Sequence, residues 1–258
     1  MKSTTDVDGK LRVYWRPGCS SCVKVKEFLA QQGVPFESID VSARPDAMQD
    51  LLRWGVKTVP VVSRGEDYVF AQALEDVSKF IGKSVEFKRL PPEELMRKWL
   101  HVLRSAQRHA LQIPAARMHE RATEGRDRSI LTLAYHVYQI PDAFLQAVLD
   151  GVPNMAKVYD TPLPANVKTT ADVAAFGARM EKKLEGWWKA LADKSCQQKV
   201  HTYYGDRPMH ELLERCTWHS AQHARQILSV LERLGVKPER PLTAADYAGL
   251  PLPKGLWE

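Results

Sequence analysis

The chain changes its hydrophobic period once, and that change limits how it can fold. Up to about Gly82, short apolar runs alternate with short amphipathic segments; beyond Pro92, apolar residues recur every three or four positions in four long stretches. A strand must pair into a sheet, and an apolar helical stripe must be covered by another element. A chain of 258 residues carrying the two patterns in series therefore builds two cores rather than one.

In the first part, Leu11 to Trp15 reads as a strand and Arg16-Pro17-Gly18 as a turn. Cys22 to Gln32 reads as a helix stopped by Gly33. Phe36 to Val41 is a second strand, and Asp46 to Trp54 a helix stopped at Gly55. Thr58 to Ser63 and Tyr68 to Phe70 are strands joined by the turn Arg64-Gly65-Glu66-Asp67, and Leu74 to Ile81 closes the series as a helix. The order β-α-β-α-β-β-α is a thioredoxin-type layout.

The second part offers four stripes: Leu95 to Ile113, Ile130 to Val148, Val173 to Leu191 and Leu212 to Leu234. Pro141 falls inside the second and should kink it, because proline lacks a backbone donor and clashes with the preceding turn. Four such helices cover their stripes best against one another, as a four-helix bundle. The segment 237–258 holds Pro238, Pro241, Pro251 and Pro253 and is poor helix material; its Tyr247, Leu250, Leu252, Leu256 and Trp257 should lie along the bundle. The expected fold class is thus an α/β thioredoxin-like domain over 1–83, a linker over 84–91, and an all-α bundle over 92–258 with a proline-rich tail.

Charge and composition exclude several roles. The net charge is +6, of which +1 falls in residues 1–83, where 12 Lys/Arg face 11 Asp/Glu. There is no basic run, so nucleic acid is not an expected partner. No apolar run approaches the roughly 20 residues that span a bilayer, and the first ten residues lack the apolar core of a secretory signal. The expectation is a cytoplasmic protein without a membrane partner. In that reducing compartment, structural disulfides among Cys19, Cys22, Cys196 and Cys216 are disfavoured, and a close cysteine pair is catalytic or metal-binding.

Cys19-Ser20-Ser21-Cys22 sits where the first strand passes into the first helix. A thiolate there faces unpaired backbone N–H groups and the positive end of the helix dipole, which lowers a thiol pKa from about 8.5 to roughly 3.5–7.5. Cys19, the outer member, is the expected nucleophile; Cys22, one turn in, would resolve a mixed disulfide. Arg16 is placed to add positive charge. Thr58-Val59-Pro60 opens a strand with a proline, which a cis Val59–Pro60 bond would explain, holding the Val59 backbone out for an extended thiol. The competing reading, half of a zinc site, needs two further ligands at matching spacing, and Cys196 and Cys216 lie far apart in the other domain.

The run Val13-Tyr14-Trp15-Arg16-Pro17-Gly18-Cys19-Ser20-Ser21-Cys22 together with Thr58-Val59-Pro60 resembles the glutaredoxin family over residues 11–82. The resemblance implies that Cys19 is nucleophilic, that Arg16 assists it, that Thr58, Val59 and Pro60 cradle glutathione, and that Asp76 meets its amino group. Two departures stand out. Ser20-Ser21 replaces the family's commonest Pro-Tyr between the cysteines, and Ala71-Gln72 replaces its Gly-Gly pair.

In the last stripe, His219 and His223 are four apart and share one helical face, a ready metal chelate. His136, in the apolar setting Leu133-Ala134-Tyr135-His136-Val137, is the best third ligand. Three neutral imidazoles suit Zn, Ni or Fe without choosing among them. A lone His136 reads as a core histidine, but burying three unpaired imidazoles is unfavourable without a metal. Cys216, one turn before His219, is either a fourth ligand or a packing residue; the other five histidines default to the surface. The segments 129–136 and 218–227 resemble the DinB-like (YfiT-related) metal-binding bundles over roughly 92–235. The resemblance implies that His136, His219 and His223 bind the metal, and that the bundle works with low-molecular-weight thiols.

Three functions compete. One is a glutathione-linked oxidoreductase or thiol transferase acting on a small-molecule or protein disulfide, with a metal in the bundle. Another is a plain disulfide reductase whose bundle only binds substrate or forms a homodimer. The third is a non-enzymatic redox or metal sensor.

Overall fold

The computed structural model describes residues 9–153, 155–159 and 161–257. The chain divides into two compact units, one reaching to Phe87 and including the last residues from Pro253, the other Lys88–Leu252.

In the first unit, β1 (Leu11–Trp15), α1 (Ser20–Gln31), β2 (Glu37–Asp40), α2 (Pro45–Arg53), β3 (Val61–Arg64), β4 (Asp67–Phe70) and α3 (Leu74–Phe80) follow the expected order. The sheet runs β2-β1-β3-β4, with β1 parallel to β2 and antiparallel to β3. Because successive side chains leave a strand on opposite faces, Val13 pairs with Val62 on one face and Tyr14 with Val61 on the other. The first face buries Val25, Phe28 and Leu29 of α1 and Val77 of α3; the second buries Ala47 and Leu51 of α2. The segment 84–91, expected as a linker, divides: Val85 and Phe87 pack on the first core, whereas the Leu90 carbonyl bonds His210 Nε2 at 2.8 Å in the second unit. The proline-rich tail divides too, with Lys254 and Gly255 donating their N–H groups to Glu27 of α1.

The second unit contains α4 (Pro92–Leu111), α5 (Ile130–Leu149), α6 (Met155–Tyr159), α7 (Thr170–Ala190), the hairpin β5 (Lys199–Thr202) and β6 (Gly205–Pro208), α8 (Met209–Arg233) and α9 (Ala244–Tyr247). Ser129 caps α5 through the Thr132 N–H, and Thr169 with Asp172 forms a capping box on α7. The four long helices form the bundle: α8 packs on α4 and α5, and α7 packs on the same two. α4 and α5 therefore stand across one diagonal and α7 and α8 across the other, each pair joined by a long connection. Among the described residues no helix is long and apolar enough to cross a membrane.

α5 runs through Pro141 without interruption. A proline there cannot donate to the carbonyl four residues earlier, that of Val137. Ser220 of α8 donates its hydroxyl to that carbonyl at 3.5 Å and accepts from Trp99 Nε1 of α4 at 2.9 Å. One buried serine thus ties three helices together beside the position that the freed carbonyl leaves open.

Gly177 lets α7 approach α5 closely. A Cβ added there would stand 2.6 Å from the ring of Tyr138, which is fully buried and bonds the Leu103 carbonyl at 3.1 Å. Gly177→Ala should destabilise the bundle by about 1–3 kcal/mol through overpacking. Chemical denaturation checks this, and an unchanged midpoint would mean that the ring swings aside freely.

Candidate functional site

Two sets of chemically competent side chains stand out, one in each unit. In the first, α1 begins two residues earlier than its apolar pattern suggests, because Cys19 itself caps it. The Cys19 sulfur accepts the Cys22 N–H at 3.2 Å, and its carbonyl accepts the same N–H at 2.9 Å. Cys19 is half-buried and Cys22 fully buried, and the two sulfurs are bonded to each other. The Val59–Pro60 bond is cis. Arg16, Thr58 and Val59 are half-buried, Pro60 is buried, and Asp76 lies in the first turn of α3. Gln72, at one of the departures noted above, donates its amide to the Val59 carbonyl at 3.4 Å.

In the second unit the structure brings His136, His219 and His223 together, with one ring nitrogen from each within 4.8 Å of the others, all three buried. His136 Nδ1 lies 3.0 Å from Gln139 Oε1, and His223 Nδ1 lies 2.6 Å from Gln226 Oε1. An amide oxygen only accepts, so each Nδ1 carries the proton and each Nε2 keeps its lone pair. The Gln139 orientation is fixed independently, since its Nε2 donates to the carbonyls of Val158 and Thr161 at 3.2 and 3.1 Å. Tyr159 lies edge-on to the rings of both His136 and His219.

Burial, followed by the charge of Arg128, pushes the His223 proton affinity down to about 3; His136 and His219 are also held well below the usual imidazole range, burial again being the main cause. The rings are neutral at physiological pH, the state in which imidazole binds metal. His223 Nε2 faces His219 Nε2 at 3.1 Å, and His219 Nδ1 is buried without a partner among the described residues. Either His219 spends its one proton on His223 and leaves Nδ1 orphaned, or two lone pairs confront each other. A cation between the rings removes the conflict, so the donor set fits a divalent metal with an open coordination position.

Cys216 is not part of this group; it is buried beside Tyr159, and burial pushes its thiol up to about 12. His109, expected at the surface, is fully buried and bonds the Glu239 carbonyl at 3.0 Å, because α4 turns it toward the segment after α8. His101, His119 and His201 are exposed, and His210 is half-buried. Sequence reasoning passed over Gln139 and Gln226. Their signal is a repeated His-x-x-Gln spacing, which places the amide one turn beyond the imidazole on the same face.

A thioredoxin-type sheet with a Cys-x-x-Cys pair at the head of its first helix defines a thiol–disulfide oxidoreductase domain. The sequence model of the glutaredoxin family matches residues 11–69, and through this segment the chain belongs to that family. N-acetyl-S-hydroxy-L-cysteine reductase of Bacillus subtilis (strain 168) is 43% identical over 60 residues, 22% of this chain and 63% of that protein. The SPbeta prophage-derived thioredoxin-like protein YosR of the same organism is 30% identical over 82 residues, 32% of this chain and 88% of the relative. The glutaredoxin-like protein NrdH of Lactococcus lactis subsp. lactis (strain IL1403) is 25% identical over 59 residues, 23% of this chain and 81% of its own length. Among solved structures, YfiT from Bacillus subtilis, described as a "probable metal-dependent hydrolase with an unusual four-helix bundle topology", aligns over 60% of this chain and 93% of its own at 11% identity and a TM-score of 0.47.

Partners that fix the tautomer of a ligating histidine typically change metal affinity by about 10–100-fold. Gln139→Leu or Gln226→Leu should therefore weaken divalent-metal binding by about that factor, read by competition against a chromophoric chelator. Unchanged affinity in both variants would remove the amides from the site.

Proposed function

We propose that this chain is a thiol–disulfide oxidoreductase or thiol transferase that uses Cys19 and Cys22, takes electrons from glutathione or another low-molecular-weight thiol, and acts on a small-molecule or protein disulfide. The observation that carries the reading is the placement of Cys19, which caps α1, receives a backbone N–H on its sulfur and is bonded to Cys22. Capping stabilises sulfur as the anion, which is both the attacking and the leaving form.

In the reduced pair, the Cys19 thiolate attacks one sulfur of a disulfide R–S–S–R′. The Cys19–S–R bond forms, and R′S⁻ leaves and takes a proton. Cys22, as thiolate, attacks the Cys19 sulfur; RS⁻ leaves, and the Cys19–Cys22 bond closes. Two electrons have passed to the substrate. Two molecules of glutathione or a similar thiol return them by the reverse exchange and leave as the oxidised dimer. Arg16, Thr58, Val59, Pro60 and Asp76 would hold this thiol. Gln72 already donates to the Val59 carbonyl, so a thiol that bonds this carbonyl would share it with the amide or displace it. The relative named for reducing N-acetyl-S-hydroxy-L-cysteine adds cysteine sulfenic acids to the substrates worth assaying.

In the second unit, His136, His219 and His223 would hold a divalent metal, Zn, Ni or Fe, which when bound supplies a Lewis-acid centre for a thiolate or a polarised oxygen. Gln139 and Gln226 keep the Nε2 lone pairs of His136 and His223 available, and the Tyr159 ring stands edge-on beside His136 and His219.

Cys19→Ser should abolish turnover of a small disulfide in a glutathione-coupled assay, while Cys22→Ser should keep a monothiol fraction; full activity of Cys19→Ser would reject the assignment. Elemental mass spectrometry of the purified chain should find about one divalent metal per molecule, lost in His219→Ala. A metal-free chain after supplementation would reduce the bundle to a scaffold.

A further inference from the structure

Arg215 stands one turn before His219 on α8 and is more than nine-tenths buried. A guanidinium has five N–H donors, and the three on Nε and Nη1 are buried without an acceptor among the described residues. The groups acting on it most strongly are Tyr204, Tyr159, Tyr203 and Cys216. Burial drives the acidities of Tyr204 and Cys216 far from physiological pH, so these two stay protonated and neutral. The Tyr204 ring, 6.0 Å from the guanidinium carbon, offers a π-face rather than a counter-ion. A buried charge that lacks an opposite charge is strongly disfavoured in a protein interior.

A second observation points the same way. Among the described residues, the fixed charges that most disfavour protonation of the three histidines are those of Arg128 on all three, Arg126 on His219 and His223, and Arg215 on His219. Three neutral imidazoles contribute no negative charge. A dication held there would raise the local charge further, which favours an anionic ligand beside it.

We propose that Arg215 is a recognition residue for the carboxylate of a small ligand that enters the three-histidine site. Its planar fork suits a carboxylate in a bidentate pair. The ligand class that follows is a small carboxylate-bearing molecule, and on the thiol-transfer reading above, a thiol whose sulfur and carboxylate are separated by a short spacer. The substrate class rests on that reading; the anion subsite does not.

The test uses the full chain with Cys19→Ser and Cys22→Ser, so that thiol exchange in the first unit releases no heat. The Zn(II)-loaded chain is titrated calorimetrically with mercaptoacetate and with 2-mercaptoethanol, and the chelator-treated chain with acetate. Mercaptoacetate should bind at least about tenfold tighter than 2-mercaptoethanol. Arg215→Gln should bring the two within about twofold while retaining zinc, and Arg215→Lys should keep part of the preference. If zinc does not load, the metal reading fails, yet acetate binding that Arg215→Gln abolishes still supports the subsite. Equal binding of the two thiols together with no acetate binding, or a preference that survives Arg215→Gln, overturns it. Ligand-free Arg215→Met should melt about 2–4 °C higher than the parent, as expected when an unpaired buried charge is removed. A lower melting point would make Arg215 a structural residue and overturn the proposal.

Discussion

The second unit is organised around the difficulty of keeping polar groups inside a helical bundle. Each must find a partner there or destabilise the fold. The solutions are local and interlocked. Pro141 strips the Val137 carbonyl of its helical donor, and Ser220 replaces it while receiving Trp99. The residues adjoining this joint are functional candidates: Ser220 follows His219 on α8, and Val137 follows His136 on α5. The bond that supplies the missing donor also joins the two imidazole-bearing helices one residue beyond His136 and His219.

The same accounting separates what is satisfied from what is left open. His136 and His223 have their outer nitrogens engaged by Gln139 and Gln226, and Gln139 in turn is held by the backbone after α6. Among the described residues, His219 Nδ1 and Arg215 Nε and Nη1 find no partner. Departures from local consistency are expected at functional sites, and the readings proposed above for these two residues rest on that expectation. In the first unit the corresponding economy is simpler: one cysteine both ends the loop after β1 and begins α1, so that a structural cap and a reactive atom are the same sulfur.

Much of this was legible in the linear sequence, for identifiable reasons. The strand–helix alternation up to Ile81 and the four stripes beyond it follow from periodicity, which acts over a few neighbouring residues. The Cys19-x-x-Cys22 and His219-x-x-x-His223 spacings are local as well. The addition of His136 needed only the knowledge that helices carrying apolar stripes must meet. Less legible were α6, the β5–β6 hairpin and α9, each too short to display a period. Arg215 was invisible because a charged residue in an amphipathic helix ordinarily faces water. His109 was misplaced for the same reason, since nothing in its neighbourhood announces the segment around Glu239 that covers it.

The packing of α5 against α8, which lies far from it in the chain, has a consequence for assembly. His136 sits on α5 while His219 and His223 sit on α8, and the whole of α6, α7 and the hairpin lies between them in the chain. No fragment that lacks α5 or α8 holds all three nitrogens, and the contact joins distant parts of the chain. Loop-closure entropy makes such contacts late to form. A metal held by all three histidines would thus mark completed folding rather than aid its beginning, and a chain in which α5 and α8 had not met would offer no more than the two-imidazole chelate of α8.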